Sequence, residues 1–238
     1  MSAQGVFITA TDTGVGKTVV TALLLAHLRR RSVNAVAMKP ISSGDRDDGR
    51  LLHELADCPG SLDLVNPVHF RNPLAPFVAA RLERHRWSTA PILRKYATLA
   101  NRHDVVLVEG IGGLLVPLRR RYFVRDLVCE MNLPILIVTR PGLGTLNHTL
   151  LTIQAARDRR IPVLGIIFNQ SYPPHNEAAL RTNAAAVEEL SGVKVLAQIP
   201  YLSSLRCSVG AIRAAVRRPT VERSLRVIVR QTEQRRFT

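Results

Sequence analysis

Apolar and polar positions alternate in blocks along the chain. Gly5–Ala10 reads as a buried strand, and Lys17–Arg31 has apolar residues at 20, 23, 24, 25 and 28, close to the spacing of one helix face. Val33–Lys39 reads as a second strand and Asp48–Asp57 as a short helix. Pro59, Pro67, Pro73 and Pro76 predict an irregular connection over 59–76. Thr89-Ala90-Pro91 reads as an N-cap with an early proline, opening a helix to about Asn101. Asp104–Glu109 and Pro134–Thr139 are strand-length runs with the continuous apolar centres of strands buried on both faces of a parallel sheet. Helix 145–159, strand Val163–Phe168, helix 176–190, strand Val193–Ile199 and a last helical region follow. This alternation predicts an α/β fold with a mostly parallel central sheet and helices on both faces. Ligands of such sheets bind outside the carboxyl ends of the strands, so chemistry is expected just after them.

Composition narrows the class. The chain has 238 residues, 46% hydrophobic and 21% charged, which suits a globular domain with a full core and excludes a disordered chain. We expect one α/β domain over 1–210 and a basic helical extension over 211–238. No apolar run approaches the roughly 18 residues of a membrane helix. The three cysteines, Cys58, Cys129 and Cys207, lack CxxC spacing, and Met1-Ser-Ala-Gln-Gly5 is not a basic leader, so a cytoplasmic protein is expected.

The formal charge of +15 raises nucleic acid as a partner class. The charge is almost all arginine, 29 Arg against 4 Lys. Residues 211–238 alone hold eight Arg and two Glu, around a helical stripe of Val221, Leu225, Ile228 and Val229. The charge therefore reads as an Arg-rich surface plus a tail, and nucleic acid is not expected as a partner.

The first strand runs into Thr11-Asp-Thr-Gly14-Val15-Gly16-Lys17-Thr18 and then a helix, the context of a P-loop. Glycines let backbone N–H groups approach phosphate oxygens, and the new helix presents unpaired N–H groups. Lys17 would reach the β- and γ-phosphates, and the Thr18 hydroxyl would hold Mg²⁺. The strict pattern wants glycine where Thr11 stands. Glu109 ends an apolar strand, as a metal-facing carboxylate does, and a glycine turn, Gly110-Ile111-Gly112-Gly113, follows. Lys39 ends the second strand and is a candidate second cation for an anionic ligand. Two of the four lysines thus stand at strand ends.

Together these residues resemble the dethiobiotin synthetase family. The resemblance rests on Ala10–Thr18, Lys39-Pro-Ile-Ser-Ser-Gly44, Val108–Gly113, Leu143-Gly-Thr-Leu-Asn-His148, Gly165–Asn169 and Ile199-Pro-Tyr-Leu202, in order over about residues 5–202, and Asn66-Pro67 and Ala75-Pro76 also resemble the family's substrate-side loop. It implies a P-loop NTPase-like fold and an ATP-dependent cyclo-ligase of biotin biosynthesis. In such an enzyme CO₂ is captured on an amine of 7,8-diaminopelargonate. The carbamate takes the γ-phosphoryl group of ATP, and the neighbouring amine closes the cyclic urea, leaving ADP and phosphate. The resemblance implies Thr18, Asp48 and Glu109 as Mg²⁺ ligands, with Asp45 and Asp47 as alternatives to Asp48. It implies Lys17, Lys39 and Thr13 as catalytic groups. Gly14, Val15, Gly16, Val19, Gly110, Ile111 and Gly112 would surround the nucleotide, and Asn169, Gln170, Pro200, Tyr201 and Leu202 would frame adenine. Ser43 would touch the diamine. Gly144, Thr145, Leu146 and Asn147 would take the substrate carboxylate from a partner subunit, which implies a homodimer.

Ala10 stands where the family has its first loop glycine, and Phe77 where many members carry histidine. Those departures keep an inactive paralogue open. A partition-type ATPase binding DNA is a further alternative, but Asp12 occupies the place of that class's signature lysine. A cobyrinate-type amide synthetase would need a glutaminase domain for which the chain has no room.

Overall fold

The computed structural model describes residues 4–58, 60–173, 177–202 and 208–234. Cys207 lies outside them. In chain order the first half holds β1 (Gln4–Ala10), α1 (Lys17–Arg30), β2 (Ala35–Met38), β3 (Ile41–Ser43), α2 (Asp47–Leu55), α3 (Leu62–Val65), β4 (Val68–Phe70), α4 (Pro76–Leu82) and α5 (Ala90–Ala100). The second half holds β5 (Val105–Gly113), β6 (Pro117–Arg119), β7 (Tyr122–Phe123), α6 (Val124–Met131), β8 (Ile135–Thr139), α7 (Thr145–Arg157), β9 (Val163–Asn169), α8 (Glu177–Ser191), β10 (Val195–Ile199), α9 (Val209–Ala215) and α10 (Pro219–Gln234).

Six strands form one parallel sheet in the order β10-β9-β8-β1-β5-β2. The apolar runs account for this. All residues of β2 and β8 are buried, as continuous apolar strands covered on both faces must be. β1 lies inside the sheet between β5 and β8, so the loop after it opens at the middle of the carboxyl edge. α1 is buried along most of its length, including all five positions of its apolar pattern. Helices α2, α9 and α10 pack around it. On α10, Val221, Leu225 and Ile228 are fully covered against β10 and α1, while Arg223, Arg226 and Arg230 face solvent. No helix among the described residues is long and apolar enough to cross a membrane.

The structure corrects several expectations. Residues 59–76 are not an irregular connection throughout. They contain α3 and β4, and β4 pairs in parallel with β3 in a separate two-stranded sheet. Two of the prolines fall at element edges, Pro67 before β4 and Pro76 opening α4, where a missing N–H costs little, Pro73 lies in the bend after β4, and Pro59 is outside the described residues. The expected strand Val33–Lys39 begins at Ala35, ends at Met38 and resumes after Lys39-Pro40 as β3. Thr89 makes no side-chain cap and is itself in the helical region. The β6–β7 hairpin and α6 were not marked by the pattern. α6 is opened by Asp126, whose carboxylate accepts from the Phe123 N–H at 2.8 Å.

Candidate functional site

The loop after β1 owes its shape to two glycines. Gly14 has φ +75° and Gly16 φ +92°, the left-handed region that side chains disfavour. A Cβ on Gly16 would also lie 2.1 Å from Asn169 Nδ2. Gly16 caps α1, so the helix's unpaired N–H groups open onto the loop. Ala10 is still strand, paired with Val138 and Gly113 and absent from the residues of positive φ, so alanine is tolerated there.

Below the loop, four side chains from three parts of the chain meet. Thr18 Oγ1 donates to Glu109 Oε1 at 2.8 Å. Lys39 Nζ donates to the same oxygen at 2.5 Å and to Asp48 Oδ2 at 2.7 Å. Glu109 is fully buried, and its other oxygen, Oε2, has no hydrogen-bond partner. Glu109 does not end its strand as expected. β5 runs on to Gly113, and the β1–β5 ladder slips just after the pair Ile8–Glu109. That irregularity turns the glycine-rich end toward the loop, with Gly112 at φ +58°.

Lys17 and Lys39 are buried to 7% and 4% exposure, and no arginine among the described residues is buried as deeply. Burial and the neighbouring Lys39 charge bring the Lys17 ammonium down to about 8. Burial would also lower Lys39, but Glu109 and Asp48 outweigh it and hold its pKa above the ordinary lysine value. Burial pushes Asp48 upward, yet Lys39 and then the Thr18 hydroxyl prevail and keep it below the usual carboxylate range. The three candidate acids have different partners. Asp47 pairs with Arg50 at 2.7 Å, and Asp45 accepts from the Asp47 N–H, leaving Asp48 on Lys39.

A cavity of about 540 Å³ opens over this cluster. Thr13, Gly14, Gly16, Lys17, Thr18, Val19, Lys39, Ser42, Ser43, Asp45, Asp48, Ile111 and Gly112 line it, so Asp45 as well as Asp48 borders the cavity while Asp47 does not. Pro73, Leu74, Ala75, Pro76 and Val116 supply an apolar side. Beside it a cavity of about 290 Å³ shares Gly14, Gly16 and Val19 and is closed by Asn169, Gln170, Pro200, Tyr201 and Leu202. Asn169 Nδ2 donates to the Val15 carbonyl at 2.9 Å, tying the end of β9 to the loop. Gly110 packs against the Phe7 ring, where a Cβ would come within 2.7 Å.

The structure does not bring Gly144, Thr145, Leu146 and Asn147 to either cavity within one chain. Thr145 turns its hydroxyl inward, 2.9 Å from Thr139 Oγ1, so the side chain is not free for a ligand. Phe77 does not line the cavity over the P-loop either.

Sequence reasoning missed the support of Lys39. Asn66 is fully buried and donates from Nδ2 to the Lys39 carbonyl at 2.7 Å. Its Oδ1 accepts from Ser42 Oγ at 2.9 Å and Arg46 Nε at 3.0 Å. The Asn66-Pro67 dipeptide was the available signal, since an Asn before Pro is commonly a turn residue. Ser171, whose Oγ donates to the Val15 carbonyl at 2.9 Å, gave no signal.

Comparison with known proteins follows this geometry. A family model described as an AAA domain matches residues 4–207. The ATP-dependent dethiobiotin synthetase BioD of Thermodesulfovibrio yellowstonii is 44% identical over 216 residues, 84% of this chain and 90% of the relative. That of Anaeromyxobacter sp. strain K is 42% identical over 202 residues, 83% and 90% of the two chains. Among solved structures, the MinC:MinD cell division protein complex of Aquifex aeolicus aligns with TM-score 0.64 at 14% identity, covering 97% of this chain and 96% of that one. The pNOB8 ParA bound to nonspecific DNA aligns with TM-score 0.61 at 13% identity, covering 98% and 99%. At such identities these two report the fold alone.

Proposed function

The chain belongs to the ATP-dependent dethiobiotin synthetase family, and from that premise we propose how its own residues carry the ring-closing reaction. The enzyme is an ATP-dependent cyclo-ligase of biotin biosynthesis, acting on 7,8-diaminopelargonate, CO₂ and ATP. The observation that carries the assignment of roles is the meeting of Thr18, Lys39, Asp48 and Glu109 beneath the P-loop.

The nucleotide phosphates lie on the N–H groups of the Gly14–Thr18 turn, and adenine sits in the smaller cavity against Asn169 and Tyr201. Lys17 faces the β- and γ-phosphates. Lys39, kept protonated by two carboxylates, neutralises the carbamate and steadies charge that spreads over the transferring phosphoryl oxygens. Thr13 and Ser43 border the space where carbamate and diamine would lie. The donor set suits Mg²⁺: a hydroxyl and two carboxylates are hard oxygen ligands, and Glu109 Oε2 is a buried anionic oxygen without a partner. Thr18, Asp48 and Glu109 would hold the ion, which when bound neutralises charge on the β- and γ-oxygens.

The aliphatic chain of the substrate runs along Leu74, Ala75, Pro76 and Val116. Its distal carboxylate meets the first turn of α7 from a second copy, because that turn is remote from the cavity of its own chain. Leu143 is 90% exposed beside it, consistent with burial in a homodimer. We place the enzyme in the cytoplasm, and the α/β unit ending near residue 210 carries the reaction while α9 and α10 brace it. The DNA-partition alternative is not favoured.

The test is phosphate release from ATP that depends on both diaminopelargonate and bicarbonate, with dethiobiotin as product. ATP hydrolysis indifferent to the diamine would overturn the reading.

A further inference from the structure

Away from the reaction cavity, a groove of about 430 Å³ lies where α4 meets β6. Phe77 and Trp87 line it together with Arg81, Arg86, Arg119 and Arg120, and no carboxylate does. It shares no lining residue with the cavity over the P-loop. Among the described residues none of these four arginines forms an ion pair. Some arginines elsewhere do reach acids, as Arg30 and Arg226 meet Glu222, Arg46 meets Asp63 and Arg159 meets Asp126. What sets the groove apart is that four arginines and two aromatic rings line one concavity with no acid among them.

Two of its four arginines are held against aromatic rings. The Arg119 guanidinium stacks over Tyr122 at 4.5 Å and lies 5.3 Å from the Trp87 ring, and Arg81 lies 5.5 Å from the Phe77 ring. Stacking holds the planar face and leaves the N–H edge for an acceptor. Two buried donors beside them, Arg119 Nε and Trp87 Nε1, have no hydrogen-bond partner. Buried donors without acceptors and four crowded cations are both unfavourable, and an anion relieves both at once.

We propose that this groove is a second anion site that binds a polyphosphate-bearing ligand of nucleotide size. Guanidinium forks match phosphate oxygens in geometry. Glu130 and Asp126 act on Tyr122, under the stacked Arg119, but no acid is in the lining, and four lining charges call for a multiply charged ligand rather than a monocarboxylate. The volume falls in the range of small-ligand sites, and the aromatic walls offer a face to a planar group.

Trp87 is the only tryptophan in the chain, so its fluorescence reports on the groove. The experiment titrates the full-length protein with inorganic tripolyphosphate at constant ionic strength. The expected result is a saturable change, equal in wild type and in Lys17→Ala, and at least roughly tenfold weaker in affinity in Arg81→Ala/Arg120→Ala. Arg81→Lys/Arg120→Lys keeps the charge and the fold, and is expected to bind with intermediate affinity because ammonium lacks the fork. Loss of the signal in Lys17→Ala would place the anion at the P-loop and overturn the proposal without touching the enzymatic reading. So would an unsaturable change, an affinity unaltered in both arginine pairs, or a response to a single-stranded oligonucleotide but not to tripolyphosphate.

Discussion

At the scale of single residues, two lysines and two glycines bear most of the chemistry. Lys39→Ala is expected to retain ATP binding while product formation falls by about 10²–10³-fold, the usual loss when one preorganised electrostatic group is removed. A nucleotide titration and a dethiobiotin assay check this together, and full activity would refute the assigned role. The variant should also melt at a lower temperature without nucleotide, because Asp48 and the buried Glu109 lose their shared cation. The glycines separate backbone strain from crowding. At Gly14 a Cβ meets nothing within 4 Å, so Gly14→Ala costs only the left-handed backbone, about 1–2 kcal/mol. Gly16→Ala adds a collision with the Asn169 amide and should lose both stability and nucleotide affinity by clearly more. Equal melting temperatures for the two variants would contradict that geometry. The P-loop lysine and threonine were legible from spacing alone. Asn66, which holds the Lys39 carbonyl, was not, because its partners Lys39, Ser42 and Arg46 lie 20 to 27 residues back along the chain.

At the scale of elements, α1 shows how later sequence changes the meaning of earlier sequence. Its apolar positions 20, 23, 24, 25 and 28 predict one buried face, and His27, seven residues after Val20 and four after Leu23, falls on that face and is buried with it. α10 covers that side, with Glu222 reaching Arg30 at 2.7 Å. Burial, and next the Arg31 charge, hold the His27 imidazole below its ordinary 6.5, with Arg30 and Arg226 acting the same way and Glu222 opposing them. Its Nδ1 is buried without a partner. The unfolded chain binds a proton at this histidine as pH falls through about 6.5, while the folded protein does not. Stability is therefore complete above that pH and declines below it, by at most about 1.4 kcal/mol per pH unit, until the lowered native pKa is passed. Melting curves from pH 7.5 to 5 should show this slope in wild type, and His27→Leu should flatten it. An identical slope in both proteins would remove His27 as the cause. Short elements were the least legible: the prolines of 59–76 suggested a coil because a four-residue helix and a three-residue strand carry too few positions to show a period.

At the scale of the whole molecule, the first turn of α7 has no place in its own chain's cavity, so the enzyme should work as a pair. Asn147→Asp sets a negative charge at that helix start, compatible with the helix dipole but repelling a substrate carboxylate. This variant and Lys17→Ala should each be inactive alone. Mixed and re-equilibrated in equal amounts, they should recover roughly a quarter of wild-type activity, since half the dimers are mixed and each holds one intact site. No recovery on mixing would show that each chain supplies its own carboxylate site. The same scale explains the charge. The cations at the reaction site are two buried lysines, while the arginines spread over the surface and gather without acids in the groove beside α4.

The six strands of the main sheet with the helices α1, α2, α5, α7 and α8, the position of the phosphate loop and the candidate acids followed from sequence, because continuous apolar runs and a glycine turn between strand and helix are local features. That Asp48, and neither Asp45 nor Asp47, pairs with Lys39 needed tertiary structure, since the packing of α2 beside β2 sets that carboxylate on the lysine. The same holds for the orphan oxygen of Glu109, the harmless Ala10 inside β1 and the inward Thr145. Each depends on atoms far apart in the chain, whose distances no periodicity encodes.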